Sequence, residues 1–453
     1  MKMKENKGQG LIKKFLKFIV PSILSMWIFA FYTIVDGFFV AKGVGPEALA
    51  AVNLSMPFNN FVFAVGLLFA TGASTMISFA LGKGNLREAR EIFSQNLTVV
   101  TILGLLITAI VLFNLEAVAV FLGATDMTLE YVKSYVSWIA TFAVFFVVSY
   151  NLEVQVKANG APHLTAIGVA SCGITNVVLD YLFVMKMEMG IDGAALATGL
   201  SQVISTFIFL IYFATHRKNL RIQRFSWKPG IYKQIIKIGI PNCFMELGGG
   251  LTIFLFNAFI LRVIGEEGII CYTVLAYIFT FAGNTMSGIT QGCQPLISFF
   301  CGAGQQENFQ KVLQYGIITV FLLSALMVFG IQLAPQVLVT VFLEGENVRL
   351  FDYTVAALQL YCLSFFIMGY NILISGFFTA INKSRYSFFI SICRSFVLLL
   401  ISLAVMSRLF GDSGIWLASL VSEGMCLVVT VLFYKDWKKR GAVIPVDGGY
   451  LSR

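Results

Sequence analysis

Apolar runs long enough to cross a bilayer recur from Leu11 almost to the C-terminus. A spanning helix needs about 20 such residues, and on that measure the chain divides into twelve expected spans: 15–41, 48–81, 95–122, 131–156, 163–186, 192–215, 233–262, 268–300, 312–343, 352–382, 386–408 and 413–434. A soluble domain is about one quarter charged, whereas here 12% of residues are charged and 58% hydrophobic, with a mean hydropathy of +0.84. Soluble enzyme, secreted module and nucleic-acid binder are excluded together. No alternating ten-residue segments of the outer-membrane barrel kind occur, so the spans are read as helices and the fold class as an all-α membrane protein.

The net charge of +9 has to be read by position. With the N-terminus inside, Lys2, Lys4, Lys7, Lys13, Lys14 and Lys17, then Lys83, Arg87 and Arg90, fall in the cytosol. So do Arg217, Lys218, Arg221, Arg224, Lys228, Lys233 and Lys237 between spans 6 and 7, and Lys435, Lys438, Lys439 and Arg440 in the tail. The other side keeps Lys42, Lys133, Lys186, Arg262, Arg349 and Arg408. Both termini are therefore expected in the cytosol, and no removable signal peptide is read in the short polar leader. The eight cysteines sit in apolar stretches without a C-x-x-C pair and read as small buried hydrophobes.

Sliding the sequence against itself reveals a duplication. At an offset of 220, Pro21 meets Pro241, Gly45 meets Gly265, Gly72 meets Gly292, Ser78 meets Ser298, Phe79 meets Phe299, Gly82 meets Gly302 and Gly84 meets Gly304. At 221, Gly190, Gly193, Leu196, Ala197 and Ser201 meet Gly411, Gly414, Leu417, Ala418 and Ser422. Six spans per copy is an even number, so both copies enter the membrane from the same side. This implies parallel repeats about an axis along the membrane normal, with a cavity between two lobes. The expected organisation is a first lobe over 1–215, a linker over 216–232, a second lobe over 233–435 and a tail over 436–453. Pro21 and Pro241 each remove a backbone hydrogen bond within a span and are candidate bending points.

Charged groups within hydrocarbon are costly and default to functional hypotheses. Those read at bilayer depth, away from the span ends, are Asp36, Asp180, Glu246, Arg394 and Glu423. Counted from Lys42, Lys186 and Asp192, residues Asp36, Asp180 and Thr198 all lie about 9 Å below one boundary. Tyr32 is one turn from Asp36 and Asn176 one turn from Asp180, which puts each pair on one helix face. Two carboxylates, an amide oxygen, a hydroxyl and a phenol form a hard-oxygen set suited to Na⁺, and the same set could exchange protons instead. Glu246 lacks a basic partner in the sequence and would attract cationic substrates as a cavity-lining charge. Arg394 and Glu423 fall at similar depth on antiparallel spans, so they either pair or Glu423 contacts substrate. In the second copy Asp36 maps to Phe256, Asn176 to Val397, Asp180 to Ile401 and Thr198 to Ser419, so one coupling site per chain is expected, in the first lobe.

With these residues in place, the chain resembles the multidrug and toxic compound extrusion (MATE) family of the multidrug/oligosaccharidyl-lipid/polysaccharide flippase superfamily, over about residues 11–435. The carriers are Pro21 with Asp36; Gly66, Gly72 and Gly82-Lys83-Gly84-Asn85; Asn176 with Asp180; Gly190-Ile-Asp-Gly193-Ala-Ala-Leu-Ala-Thr198 leading into Ser201-Gln202; Gly239-Ile-Pro241; Gln291-Gly292; Gln294-Pro295; Ser298; and Gly302-Ala303. The resemblance implies rocker-type alternating access and export of organic cations against inward Na⁺ or H⁺, with a first-lobe cation site at Asp36, Asn176, Asp180 and Thr198. Members that rely on an acid on helix 7 would map that role to Glu246, and the expected substrate cavity takes Glu246, Glu423, Gln202 and Gln291. The acid that some members carry on helix 10 is missing from Leu358 to Ala380. The expected partners are organic cations and the bilayer, with no nucleic acid, no ATP and no cofactor besides the coupling ion. A monomer in a bacterial plasma membrane is expected.

The alternative within the same architecture is a flippase for a lipid-linked oligosaccharide, which should line its cavity with several Lys or Arg. An intramembrane enzyme is excluded by the absence of H-E-x-x-H and of further histidines besides His163 and His216. The absence of G-x-x-x-x-G-K-[ST] likewise argues against ATP-driven transport.

Overall fold

In lipid every backbone N–H and C=O must be satisfied within the protein, and long apolar sequence can do this only as helix. The computed structural model describes residues 9–44, 46–216, 219–343 and 348–440; Lys2, Lys4, Lys7, Gly45, Arg217, Lys218 and 441–453 of the expected tail lie outside them. The first half is α1 (Gln9–Gly43), α2 (Pro46–Gly82), α3 (Leu86–Phe113), α4 (Leu115–Phe121), α5 (Leu129–Thr141), α6 (Ala143–Ala158), α7 (Pro162–Asp180) and α8 (Gly190–Thr215). The second is α9 (Pro229–Val263), α10 (Glu266–Gly302), α11 (Gln306–Leu333), α12 (Pro335–Thr340), α13 (Val348–Tyr361), α14 (Phe365–Ala380), α15 (Ser384–Ile392) and α16 (Leu398–Lys439). A π turn over Tyr181–Lys186 prolongs α7, and another over Cys393–Val397 joins α15 to α16.

Ten helical segments among the described residues are long and apolar enough to cross a membrane. The pair α5 and α6, bent by 50° at Phe142, forms a further span. The segment Ser384–Lys439 holds two spans, because it breaks at Gly411, whose φ of +56° is left-handed. Twelve spans in two lobes result. Element ends follow local chemistry. Asn85 caps α3 by accepting from the Glu88 amide at 3.1 Å, and Pro162, Pro229 and Pro335 open α7, α9 and α12, where a missing N–H costs nothing. Pro21 and Pro241 lie inside α1 and α9, each of which continues as helix through its proline.

The two hydrophobic cores do not divide at the linker. One extends from Val40 to Ile238 and takes in Ile231, Ile235 and Ile238 of α9. The other takes Phe15, Phe18, Ile19 and Ile23 of α1 and Phe79 of α2 into the second lobe. Each lobe thus lends the first half of its leading helix to its partner, α9 lying along α2 and α1 along α10.

Glycine makes that exchange possible. A Cβ on Gly82 would strike the Phe299 carbonyl, and one on Gly302 the Phe79 carbonyl, so α2 and α10 cross backbone to backbone at residues related by the repeat. Gly72 lies on the Ile235 carbonyl and Gly239 on that of Leu68, near the same end of the molecule. Further along, Cβ atoms on Gly37, Gly249 and Gly283 would meet nothing. The lobes are sealed on the side where α1 begins.

The linker is strapped across α3 on that side. Arg90 Nε donates to the Asn219 carbonyl at 2.6 Å, the Gln223 amide to Ser94 Oγ at 3.0 Å, and Lys228 Nζ pairs with Glu91 at 2.7 Å.

Candidate functional site

Three helices of the first lobe converge on the acids. The Asp36 carboxylate, from α1, stands beside Asp180 and Asn176 on α7 and Thr198 on α8. Asn176 Nδ2 approaches Thr198 Oγ1 at 3.4 Å, and Thr198 spends its own proton on the Ala194 carbonyl at 3.0 Å. Four buried oxygens then have no hydrogen-bond partner: Asp36 Oδ1, Asn176 Oδ1 and both carboxylate oxygens of Asp180. Buried acceptors are nearly always satisfied, so a cluster of orphaned carboxylate and amide oxygens is chemically suited to accepting a cation or protons. Tyr32 stands to one side. It is buried against Gly173, and its hydroxyl is within reach of Gln202.

A central cavity lies between the lobes. Its walls include Met26, Phe29 and Phe63 from the first lobe and Asn242, Glu246 and Gln291 from the second, and Glu246 is the one charged residue among the side chains that line it. Glu246 makes no hydrogen bond or ion pair among the described residues.

The other two residues assigned to this cavity border the spaces next to it. Gln202 lines a pocket of the first lobe, with Tyr32, Cys172 and Glu153, that adjoins the central cavity and shares Met26, Phe29, Phe63 and Tyr150 with it. Glu423 borders one inside the second lobe, with Thr252, Phe256, Arg394 and Ser419. There Arg394 Nε donates to Glu423 Oε1 at 2.7 Å, while Asn371 Nδ2 donates to Oε2 at 2.8 Å. Both oxygens are occupied.

The repeat register also needs correcting on one helix. The turn into α7 closes with Gly160 N donating to Lys157 O and Ala161 N to Val156 O. Its equivalent before α15, with Asn382 N donating to Thr379 O and Lys383 N to Phe378 O, comes one residue later than an offset of 221 allows. The π turn at Cys393–Val397 then adds another. The counterparts of Asn176 and Asp180 are therefore Leu399 and Leu403, buried at 4% and 0%, rather than Val397 and Ile401, exposed at 38% and 47%. With Phe256 opposite Asp36, the second lobe presents hydrocarbon at three of the four positions and keeps a hydroxyl, Ser419, opposite Thr198.

Sequence reasoning missed a buried ion pair. Lys157 Nζ, on a side chain 1% exposed, donates to Glu153 Oε1 at 2.9 Å and, across the lobes, to Gln291 Oε1 at 2.9 Å. Arg394 is thus not the only buried cation. The signal was present as an i, i+4 acid–base pair on an apolar helix, but it sits at the end of the expected span 131–156 and reads there as a solvated boundary.

A family model described as MatE matches residues 21–182 and again 241–406, once in each lobe. The chain belongs to the MATE family of transporters. Members of this family are transporters, not enzymes. Among curated relatives, the multidrug export protein MepA of Staphylococcus saprophyticus is 25% identical over 427 residues, covering 93% of both chains. The MepA of Staphylococcus aureus strain MRSA252 is 26% identical over 427 residues, with the same coverage. Among solved structures, a MATE in complex with MaL6 superposes with a TM-score of 0.91 at 21% identity, covering 96% of this chain and 99% of that one. An outward-facing multidrug resistance MATE transporter gives 0.90 at 21%, with the same coverage. A MOP superfamily transporter from Pyrococcus furiosus gives 0.88 at 22%, covering 96% and 98%. The helical architecture is that of this family.

Proposed function

We propose that this MATE transporter is a secondary active exporter of organic, mostly cationic compounds, driven by inward Na⁺ or H⁺ through alternating access. The observation that carries the reading is the presence of two separate acidic sites: Glu246 in the cavity between the lobes, and the orphaned oxygens of Asp36, Asn176 and Asp180, with the Thr198 hydroxyl beside them, inside one lobe. Glu246 attracts the organic cation, and the apolar walls of Met26, Phe29 and Phe63 accept its hydrocarbon. Na⁺ at the second site would be held by the two carboxylates, the amide oxygen and the hydroxyl, drawing α1, α7 and α8 together. Protons would instead neutralise the same acids. Either ion drives the cycle only by binding the two access states unequally. The names of the MepA relatives, multidrug export proteins, support the same substrate breadth.

A cavity whose only charged lining is an acid is the opposite of what a polyanionic lipid-linked sugar would need, which favours export over the flippase alternative. The basic ends of α1, α2, α9 and α16 support cytosolic termini in a bacterial plasma membrane. The test is dye or drug efflux from proteoliposomes under separately imposed sodium and pH gradients. Efflux driven by one gradient supports the reading; equal rates with neither gradient imposed would reject coupled export.

A further inference from the structure

The Glu153–Lys157 pair is costly where it sits. Two charges at 7% and 1% side-chain exposure have lost nearly all hydration, and a buried ion pair repays that loss poorly compared with hydrocarbon of the same volume. Such a pair is least costly in a protein that periodically lets water reach it. Its surroundings show where that would happen. Tyr150 and Gln291 line the central cavity, Glu153 lines the first-lobe pocket with Tyr32 and Gln202, and Gln291 Nε2 lies 3.5 Å from the Tyr150 hydroxyl. Lys157 therefore joins the lobes beside the central cavity, at the end of α6 on the side where Gly82, Gly302, Gly72 and Gly239 bring the helices together.

The repeat shows that this arrangement is single. Phe145-Phe146 and Tyr150-Asn151 of α6 recur without a gap as Phe365-Phe366 and Tyr370-Asn371 of α14. In that register Glu153, Lys157 and Gln291 correspond to Leu373, Phe377 and Thr71, and in the register of the turn that follows Glu153 and Lys157 correspond to Ser375 and Thr379; neither set can form a second copy.

We propose that Lys157 is the positioning residue of an interlobe latch, held by Glu153 and closed by its hydrogen bond to Gln291, and that opening the lobes on the side where α1 begins requires breaking that bond. In the closed state the bond offsets the desolvation of the pair; in the open state water replaces Gln291. The two terms oppose each other, which keeps the states close in energy. Glu153 also carries the cation site's influence to the seam, through the pocket it shares with Tyr32, one turn from Asp36.

The proposal rests on the alternating-access reading but not on ion coupling, so the test reads lobe separation rather than transport. Spin labels are placed at Arg87→Cys and Gln310→Cys, both exposed near the sealed ends of the lobes, with the eight native cysteines replaced. Interlobe distances are then measured in the full chain in nanodiscs. Lys157→Met and Gln291→Leu should each raise the ratio of long to short distances by roughly tenfold, the worth of a hydrogen bond to a charged group. Lys157→Arg should restore the parent ratio. The stoichiometry of sodium or proton binding at saturation, measured on the same preparations, should match the parent. Should Lys157→Met fail to fold with Glu153 left unpaired, the double variant Glu153→Gln/Lys157→Met removes both charges, and Gln291→Leu disturbs neither. Unchanged distances in Gln291→Leu, or in a folded variant lacking Lys157, would overturn the latch. An ion-binding failure with shifted distances would leave the latch standing and overturn the coupling reading instead.

Discussion

The carboxylates of Asp36 and Asp180 stand beside each other on α1 and α7, and three of their four oxygens are buried without a partner. Two acids so placed repel each other unless a cation or a proton stands between them. Asp36→Asn and Asp180→Asn should therefore each reduce gradient-driven efflux to below roughly one tenth of the parent, while thermal unfolding stays close to it, because neutral amides relieve the repulsion. Parent-like efflux from either variant at equal expression would remove these residues from the coupling role.

Glu246 acts by charge alone in this account. Glu246→Gln should weaken binding of a monovalent organic cation by about tenfold, and a neutral compound of similar size by much less, because the lost interaction is Coulombic and acts beside apolar cavity walls. Fluorescence titration with matched charged and neutral ligands checks this. Equal losses would assign Glu246 to packing.

The Arg394–Glu423 pair is expected to be structural. Arg394→Met strands a carboxylate 5% exposed and should cost about 3–5 kcal/mol, whereas the double variant Arg394→Met/Glu423→Gln should recover most of that. Thermal melts of the purified variants distinguish the two. A double variant no better than the single one would mean that the guanidinium has a role beyond neutralising Glu423.

The spans, the duplication and the acids were legible in the sequence because each leaves a local mark: a run of hydrocarbon, a recurring glycine, a charge where none is affordable. The exchange of helix ends between lobes was not. It depends on Gly82 and Gly302 reaching carbonyls more than two hundred residues away, which no local pattern encodes. Glu423 could be given a plausible depth from sequence, but which cavity it borders is decided by Asn371 and Arg394 closing around both of its oxygens. The later turn before α15 and the π turn at Cys393–Val397, each adding a residue without altering the hydrophobic pattern, shifted the counterparts of Asn176 and Asp180 in the same silent way.

The central claim is a single coupling-ion site in the first lobe. The most direct measurement is cation stoichiometry on purified protein, by radiolabelled sodium or by proton release at fixed pH, for the parent, Asp36→Asn and Glu423→Gln. One cation per chain in the parent, lost in Asp36→Asn and kept in Glu423→Gln, is the expected result. A stoichiometry near two, or binding that survives Asp36→Asn and disappears with Glu423→Gln, would contradict it and move the site to the second lobe.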